Sequence, residues 1–302
     1  MRRFRCVLFS LVASLVVLPA GAQSLQTQIA RIAAQAHGRV GVACSLPGKT
    51  LACDFHASEA LPMQSVYKLP IAVVVLHAVE QERLSLTQNL RFLPSDIGLP
   101  AEYSPLKDAH PHGGVEIPVQ ELLQRMIEQS DNVACDMLLR TLGGPAVVDR
   151  SLRSLGFAGI HIVDYEKFVD RDERLQYRNS ATPHALVILL RRLADRSPLS
   201  PEHTQLLLGW MTDNHTGDSR IRAELPPGTV VADKTGTAGQ NRPRMNATND
   251  IALITLPDGR KLAIAVLIAD ARAPFPVRER VIAQIAQAID TAATTPTPAS
   301  GP

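Results

Sequence analysis

Apolar positions along this chain follow two different periods. Leu25, Ile29, Ile32 and Ala33 share one face at helical spacing and predict an opening helix. Two short β-type runs follow, at 39–46 and 50–56, and predict a hairpin whose two-residue loop is Gly48-Lys49. From about Leu61 to Asp213 the spacing is mostly helical, with helices predicted over 69–79, 119–128, 133–142, 148–155, 183–193 and 203–211. Strand character returns at 229–234, 251–256 and 261–269, the last two joined by a turn at Pro257-Asp258-Gly259-Arg260. Val281, Ile285 and Ile289 then stripe a closing helix. The order is helix, two strands, many helices, three strands, helix. It predicts an α/β (α+β) fold in which the two ends of the chain build one antiparallel five-stranded sheet flanked by helices. The middle forms an all-helical subdomain. The expected boundaries are 23–60 with 214–292 for the sheet-bearing part, 61–213 for the helical part, and a flexible Pro/Thr/Ser-rich tail at 293–302.

The start of the chain changes the composition. Arg2, Arg3 and Arg5 precede an apolar run from Cys6 to Leu18, then Pro19 and the small residues Ala20-Gly21-Ala22. This is the three-part pattern of a signal peptide at 1–22, and it predicts a secreted or periplasmic protein. The apolar run is short for a membrane anchor. The formal charge of +2 belongs to the precursor, because the leader removes three arginines and no acid. Near neutrality argues against a nucleic-acid partner, and no later segment is apolar enough to span a membrane. In the predicted hairpin Cys44 opposes Cys53 as a non-hydrogen-bonded pair, about 4.5 Å between Cα atoms. That is at the short end of disulfide geometry. Export favours a bridge, and two buried thiols are the alternative.

Lysine is scarce, six residues against 25 arginines, so each one merits inspection. Ser65-Val66-Tyr67-Lys68 places a hydroxyl and an amine one helical turn apart at a predicted helix N-terminus. A serine needs a base to become a nucleophile, and a desolvated lysine can serve. Free N–H groups at the helix start suit a developing oxyanion. Pro70 costs a hydrogen bond there unless the first turn is irregular. The spacing is weak evidence by itself. It recurs at Ser104-Pro105-Leu106-Lys107, where the surrounding prolines predict a loop. Ser130-Asp131-Asn132 precedes another predicted helix and, taken alone, reads first as an N-cap. Lys234-Thr235-Gly236 ends a predicted strand with a glycine that admits close approach.

The three motifs in this order are much more specific than any one of them. The chain resembles the class A serine β-lactamases over nearly all of its length after the leader. Further matches are Tyr103-Ser104-Pro105, Trp210-Met211, Asn214, Thr216-Gly217, Arg220 to Ala223 and Asn249-Asp250. Met63-Gln64 and Ala134-Cys135-Asp136 are similar to the extended-spectrum branch that includes the PER, VEB and CfxA enzymes. The resemblance implies a β-lactamase/transpeptidase-like fold and hydrolysis of the β-lactam ring through a serine acyl-enzyme. It implies catalytic roles for Ser65, Lys68, Ser130, Glu166 and Lys234. Glu166 would activate the deacylating water, with Asp164, Asp170, Asp172 and Glu173 as competing acids. Asp170 stands where most members carry a water-holding Asn, and its closeness to Glu166 would raise one of the two pKa values. Lys234, Thr235, Gly236 and Thr237 would seat the substrate carboxylate, with Arg220 as an extra cation. Asn132 would hold the acylamino group, and Tyr103 would wall the cleft. The backbone N–H groups of Ser65 and Thr237 would form the oxyanion hole. Cys135 reads as a core residue. Nine histidines form no metal-ligand pattern on a regular element, so neither metal nor cofactor is expected. The expected partner is a small β-lactam, met by a monomer. Two rivals share the trio of motifs: a D-alanyl-D-alanine peptidase or transpeptidase, and a penicillin-binding sensor that acylates and stalls.

Overall fold

The computed structural model describes residues 23–169, 172–238 and 246–296. The predicted leader and most of the predicted tail lie outside them. Helix α1 (Leu25–Ala33) is capped by the Ser24 hydroxyl, which accepts the Thr27 N–H at 3.2 Å. Strand β1 (Arg39–Ser45) follows. The helical part then brings α2 (Lys68–Glu80), α3 (Pro105–Ala109), α4 (Val119–Glu128), α5 (Asn132–Thr141), α6 (Pro145–Ser154), α7 (Glu166–Val169), α8 (Pro183–Asp195) and α9 (Pro201–Thr212). Five short strands punctuate it. β2 (Leu61–Pro62), β6 (Ser180–Ala181) and β5 (Ile160–His161) pair in that order, and β3 (Asn89–Arg91) pairs with β4 (Glu116–Pro118). The chain closes with β7 (Val230–Thr237), β8 (Thr248–Thr255), β9 (Lys261–Ala269) and α10 (Phe275–Thr294).

The main sheet has the order β1-β9-β8-β7, antiparallel throughout. Strand β9 is buried on both faces, and its side chains divide cleanly by the two-residue period. Leu262, Ile264, Val266 and Ile268 join α1 and α10 in one core. Ala263, Ala265, Leu267 and Ala269 face the helical side, where α8 packs. Helix α2 is apolar nearly all round and buried, as the central rod of the helical part must be. Helices α4, α5 and α6 surround it. Pro70 is tolerated because a 3₁₀ turn, Gln64–Tyr67, precedes α2 and leaves Pro70 in the first helical turn, where N–H groups lack helical partners anyway.

Among the described residues the sheet has four strands where the sequence predicts five. Residues 50–56 make a single bridge, in which Val42 and Phe55 exchange both N–H···O bonds at 2.7 and 3.0 Å. The hairpin turns on Pro47-Gly48, closed by the Lys49 N–H to Leu46, and not on Gly48-Lys49. Pro followed by Gly at φ 74° is the type II pattern. Such turns splay the flanking strands, and the second strand is lost. Cys44 and Cys53 are nevertheless bridged. The Val42–Phe55 exchange puts them at a hydrogen-bonding register, so their Cα atoms are 6.0 Å apart and not the narrower spacing expected.

Candidate active site

Strand β7 extends past its predicted end to include Thr235, Gly236 and Thr237, paired with Asp250, Asn249 and Thr248 of β8. Thr235, Thr237, Asn249 and Asp250 each make a side-chain hydrogen bond there, whereas the buried Thr248 hydroxyl has no partner. Asn249 donates from Nδ2 to the carbonyls of Pro62 and Met63 at 2.8 and 2.9 Å and accepts the Ile268 N–H. It thereby ties the sheet to the turn that carries Ser65. Gly236 permits this docking. A Cβ there would lie 2.4 Å from the Met63 carbonyl oxygen.

Lys68 is fully buried at the start of α2, and its ammonium joins four of the predicted residues. Nζ donates to Ser65 Oγ at 3.0 Å, to Asn132 Oδ1 at 2.5 Å, and to the carbonyl and hydroxyl oxygens of Ser130 at 2.7 and 3.4 Å. It lies 3.0 Å from Glu166 Oε1. Lys234 approaches from β7 and donates to Ser130 Oγ at 3.0 Å. Burial and the nearby Lys68 charge push the Lys234 pKa down to about 7, against the pull of Asp233 and Asp250. Ser130 is thus contacted by both lysines. It holds a left-handed conformation, φ 57°, that turns it out of the helix line. Asp131 is the capping member of its motif. It accepts the Ala134 N–H at 3.0 Å, the Leu106 N–H at 2.7 Å and the Ser104 hydroxyl at 2.7 Å.

Ser104 is therefore not in a plain loop, as its prolines suggested. It caps α3, accepting the Lys107 N–H at 3.0 Å. The Lys107 ammonium turns away to the Pro100 and Glu102 carbonyls, so this second Ser-x-x-Lys match builds structure and not a nucleophile.

Arg220 is buried behind β7 and donates to Thr237 Oγ1 at 2.6 Å and to the carbonyls of Gly236 and Asn249. Thr235 Oγ1 lies 2.5 Å from Thr216 Oγ1. The open space between these residues is a cleft of about 530 Å³, walled by Ser65, Ser130 and Asn132 on one side and Thr216, Arg220, Thr235 and Thr237 on the other. Tyr103 stands at its mouth, 59% exposed. The Ala238 N–H bonds to Ala247 in the direction of β8, so the Thr237 N–H, one residue earlier, points to the open edge of the sheet.

Some contributors lie outside the motifs. Asp136, buried on α5, accepts the backbone N–H groups of Glu166 and Lys167 at 2.8 and 3.1 Å and so anchors the four-residue α7. Burial and the neighbouring Glu166 hold its pKa well above the usual carboxylate range. Asn179 pins the same loop through the N–H groups of Val163 and Asp164. Asp233, next to Lys234, accepts from Arg222 and Asn214, while burial raises its pKa to about 6. Asp136 could have been singled out as an acid at a helix position otherwise lined by core residues. Asp170 lies outside the described residues. Among the described residues, no group of three or more His, Cys, Asp or Glu is placed to hold a metal ion.

A serine at a helix N-terminus, a buried lysine beneath it, a second serine between two lysines and a carboxylate opposite can together move protons at a carbonyl held over an oxyanion site. That is the equipment of an acyl-transferring serine enzyme. Comparison with known proteins agrees. The profile described as the β-lactamase enzyme family matches residues 24–292. The extended-spectrum β-lactamase PER-1 of Pseudomonas aeruginosa is 37% identical over 263 residues, covering 87% of this chain and 85% of that one. The β-lactamase VEB-1 of the same organism is 35% identical over 292 residues, covering 95% and 96%. The crystal structure of the TLA-1 extended-spectrum β-lactamase superposes with a TM-score of 0.85 at 34% identity, over 90% of this chain and 98% of that one. The chain belongs to the β-lactamase enzyme family. It is a β-lactam-hydrolysing enzyme of the class A serine type.

Proposed function

We propose that the enzyme opens penicillin- and cephalosporin-type rings by the following division of labour. Ser65 Oγ bonds to the lactam carbonyl carbon, and its proton passes to the Lys68–Glu166 pair. The N–H groups of Ser65 and Thr237 receive the oxyanion. As the C–N bond breaks, Ser130 gives its proton to the ring nitrogen and is resupplied through the lysines beside it. Glu166 then takes a proton from a water that attacks the acyl carbon, and Ser65 Oγ leaves with a proton returned through Lys68. Lys234, Thr235 and Thr237 seat the substrate carboxylate with Arg220 behind them, Asn132 holds the acylamino group, and Tyr103 walls the mouth. The substrate enters the cleft between the sheet-bearing part (23–60 with 214–292) and the helical part (61–213). The protein acts as an exported monomer.

The observation that supports this reading best is the position of Lys68 Nζ, within 3.0 Å of both Ser65 Oγ and Glu166 Oε1. A peptidase or transpeptidase needs the first contact. The second is what a hydrolase needs to clear its acyl-enzyme. The test is turnover of a chromogenic cephalosporin by the native enzyme, Ser65→Ala and Glu166→Ala, with mass spectrometry of each. The expected result is turnover by the native enzyme, no adduct with Ser65→Ala, and a trapped acyl adduct with Glu166→Ala. A native enzyme that acylates and stalls would instead be a sensor, and normal turnover by Glu166→Ala would move the base elsewhere.

A further inference from the structure

Glu279 lies on α10, outside every motif considered above. Its side chain nevertheless lines the catalytic cleft beside Phe275 and is 16% exposed. One oxygen, Oε1, stands 3.2 Å from Arg220 Nε. Among the described residues the other oxygen accepts no hydrogen bond, and it is not among the buried unpartnered atoms, so it keeps solvent access on a side chain that lines the cleft. Arg220 itself is spent elsewhere, on Thr237 Oγ1 and the carbonyls of Gly236 and Asn249. The contacts Thr237–Arg220–Glu279 therefore run outward from the strand that seats the substrate carboxylate. Asn132, which takes the acylamino end, is on the opposite wall. On that proposed seating, a group carried next to the ring carboxylate would emerge toward Glu279, and the acylamino group would not.

We propose that Glu279 is a specificity-determining residue. Its open carboxylate oxygen favours β-lactams that carry a cationic group beside the ring carboxylate, such as a pyridinium on a cephalosporin, over their neutral and anionic counterparts. The inference rests on the carboxylate seat described above. A merely structural Glu279, holding Arg220 in place, has a different signature. Its loss would loosen Arg220 and Thr237 and slow every carboxylate-bearing substrate alike.

The test uses three cephalosporins with one shared acylamino group and a pyridinium, a neutral acetoxy or a carboxylate-bearing substituent beside the ring carboxylate. In the native enzyme kcat/KM falls in that order, mainly through KM, and the spread narrows with added salt because the interaction is partly exposed. In Glu279→Gln the cationic-to-neutral ratio falls about two- to fivefold, the range for a partly exposed ion pair. Equal losses for all three substrates, or a ratio that the substitution leaves unmoved, overturn the inference. Should the variant not fold, the native enzyme decides the matter, since a ratio insensitive to salt overturns it too. Turnover of the neutral cephalosporin by the native enzyme keeps the two levels apart. Without it the reading of the site fails, and not Glu279 alone.

Discussion

Asp136 grips Glu166 by its backbone and not by its side chain: Oδ1 accepts the Glu166 N–H at 2.8 Å while the Glu166 carboxylate faces Lys68. A buried acid thus sets where a second acid stands. Replacing Asp136 with Ala leaves two partly buried N–H groups without their acceptor and frees α7 to shift. A displacement of about 1 Å at a reacting group costs about a hundredfold. The loss should fall on deacylation, so Asp136→Ala shows a burst of acylation followed by slow turnover, read by rapid-quench mass spectrometry. A uniform loss of acylation and deacylation would place the role of Asp136 in folding alone.

Lys234 titrates in the working range. Its pKa of about 7 in the free enzyme means that its charge, and with it the proposed attraction for a substrate carboxylate, fades as pH rises through 7. The alkaline limb of kcat/KM should therefore fall near pH 7 and be carried by KM, because kcat/KM reports the free enzyme. Lys234→Arg, which stays protonated, should move that limb upward. An unchanged limb in the arginine variant would assign it to another group.

Two buried acids make folding sensitive to pH. Burial raises Asp233 to about 6 and, with Asp233 beside it, lifts Asp250 well above the usual range. A carboxyl with a raised folded-state pKa holds protons that the unfolded chain releases near pH 4. Stability is thus lost as pH rises through the folded value. Asp250 Oδ1 also has no hydrogen-bond partner. Asp250→Asn should melt at a temperature that changes less between pH 5 and 8 than the native enzyme's, measured by calorimetry across that range. An equally steep or steeper dependence would contradict this.

The Cys44–Cys53 bridge closes a loop of nine-residue separation, on the far side of the sheet from the cleft. Chain entropy alone gives such a loop about 2–3 kcal/mol. Cys44→Ala with Cys53→Ala should lower the melting temperature while leaving kcat and KM near native values. A large fall in kcat would mean that the hairpin communicates with the site.

The residues proposed for the chemistry stand out because they come in short, ordered motifs, and the helices because their apolar spacing is regular. Ser65, Lys68, Ser130, Asn132, Glu166 and Lys234 do converge. What escaped were pairings between distant segments. No local pattern announces that Asp136 will meet the Glu166 backbone or that Arg222 will meet Asp233. The fifth strand was over-read because alternation in 50–56 is real, but the Pro47-Gly48 turn sends that strand off the ladder. Strand β7 was under-read for the opposite reason. Thr235, Gly236 and Thr237 look like a strand end, and only their tertiary partners keep them in the sheet.

Strand β1 lies against β9, with Arg39 opposite Ala269. Apart from the local Val42–Phe55 bridge, the first strand made has no ladder partner until nearly the whole chain has emerged. Such long-range closure is intrinsically slow. A chain built this way stays open for much of its synthesis. The sheet that holds Lys234 over Ser130 is completed only when its last strand has been made.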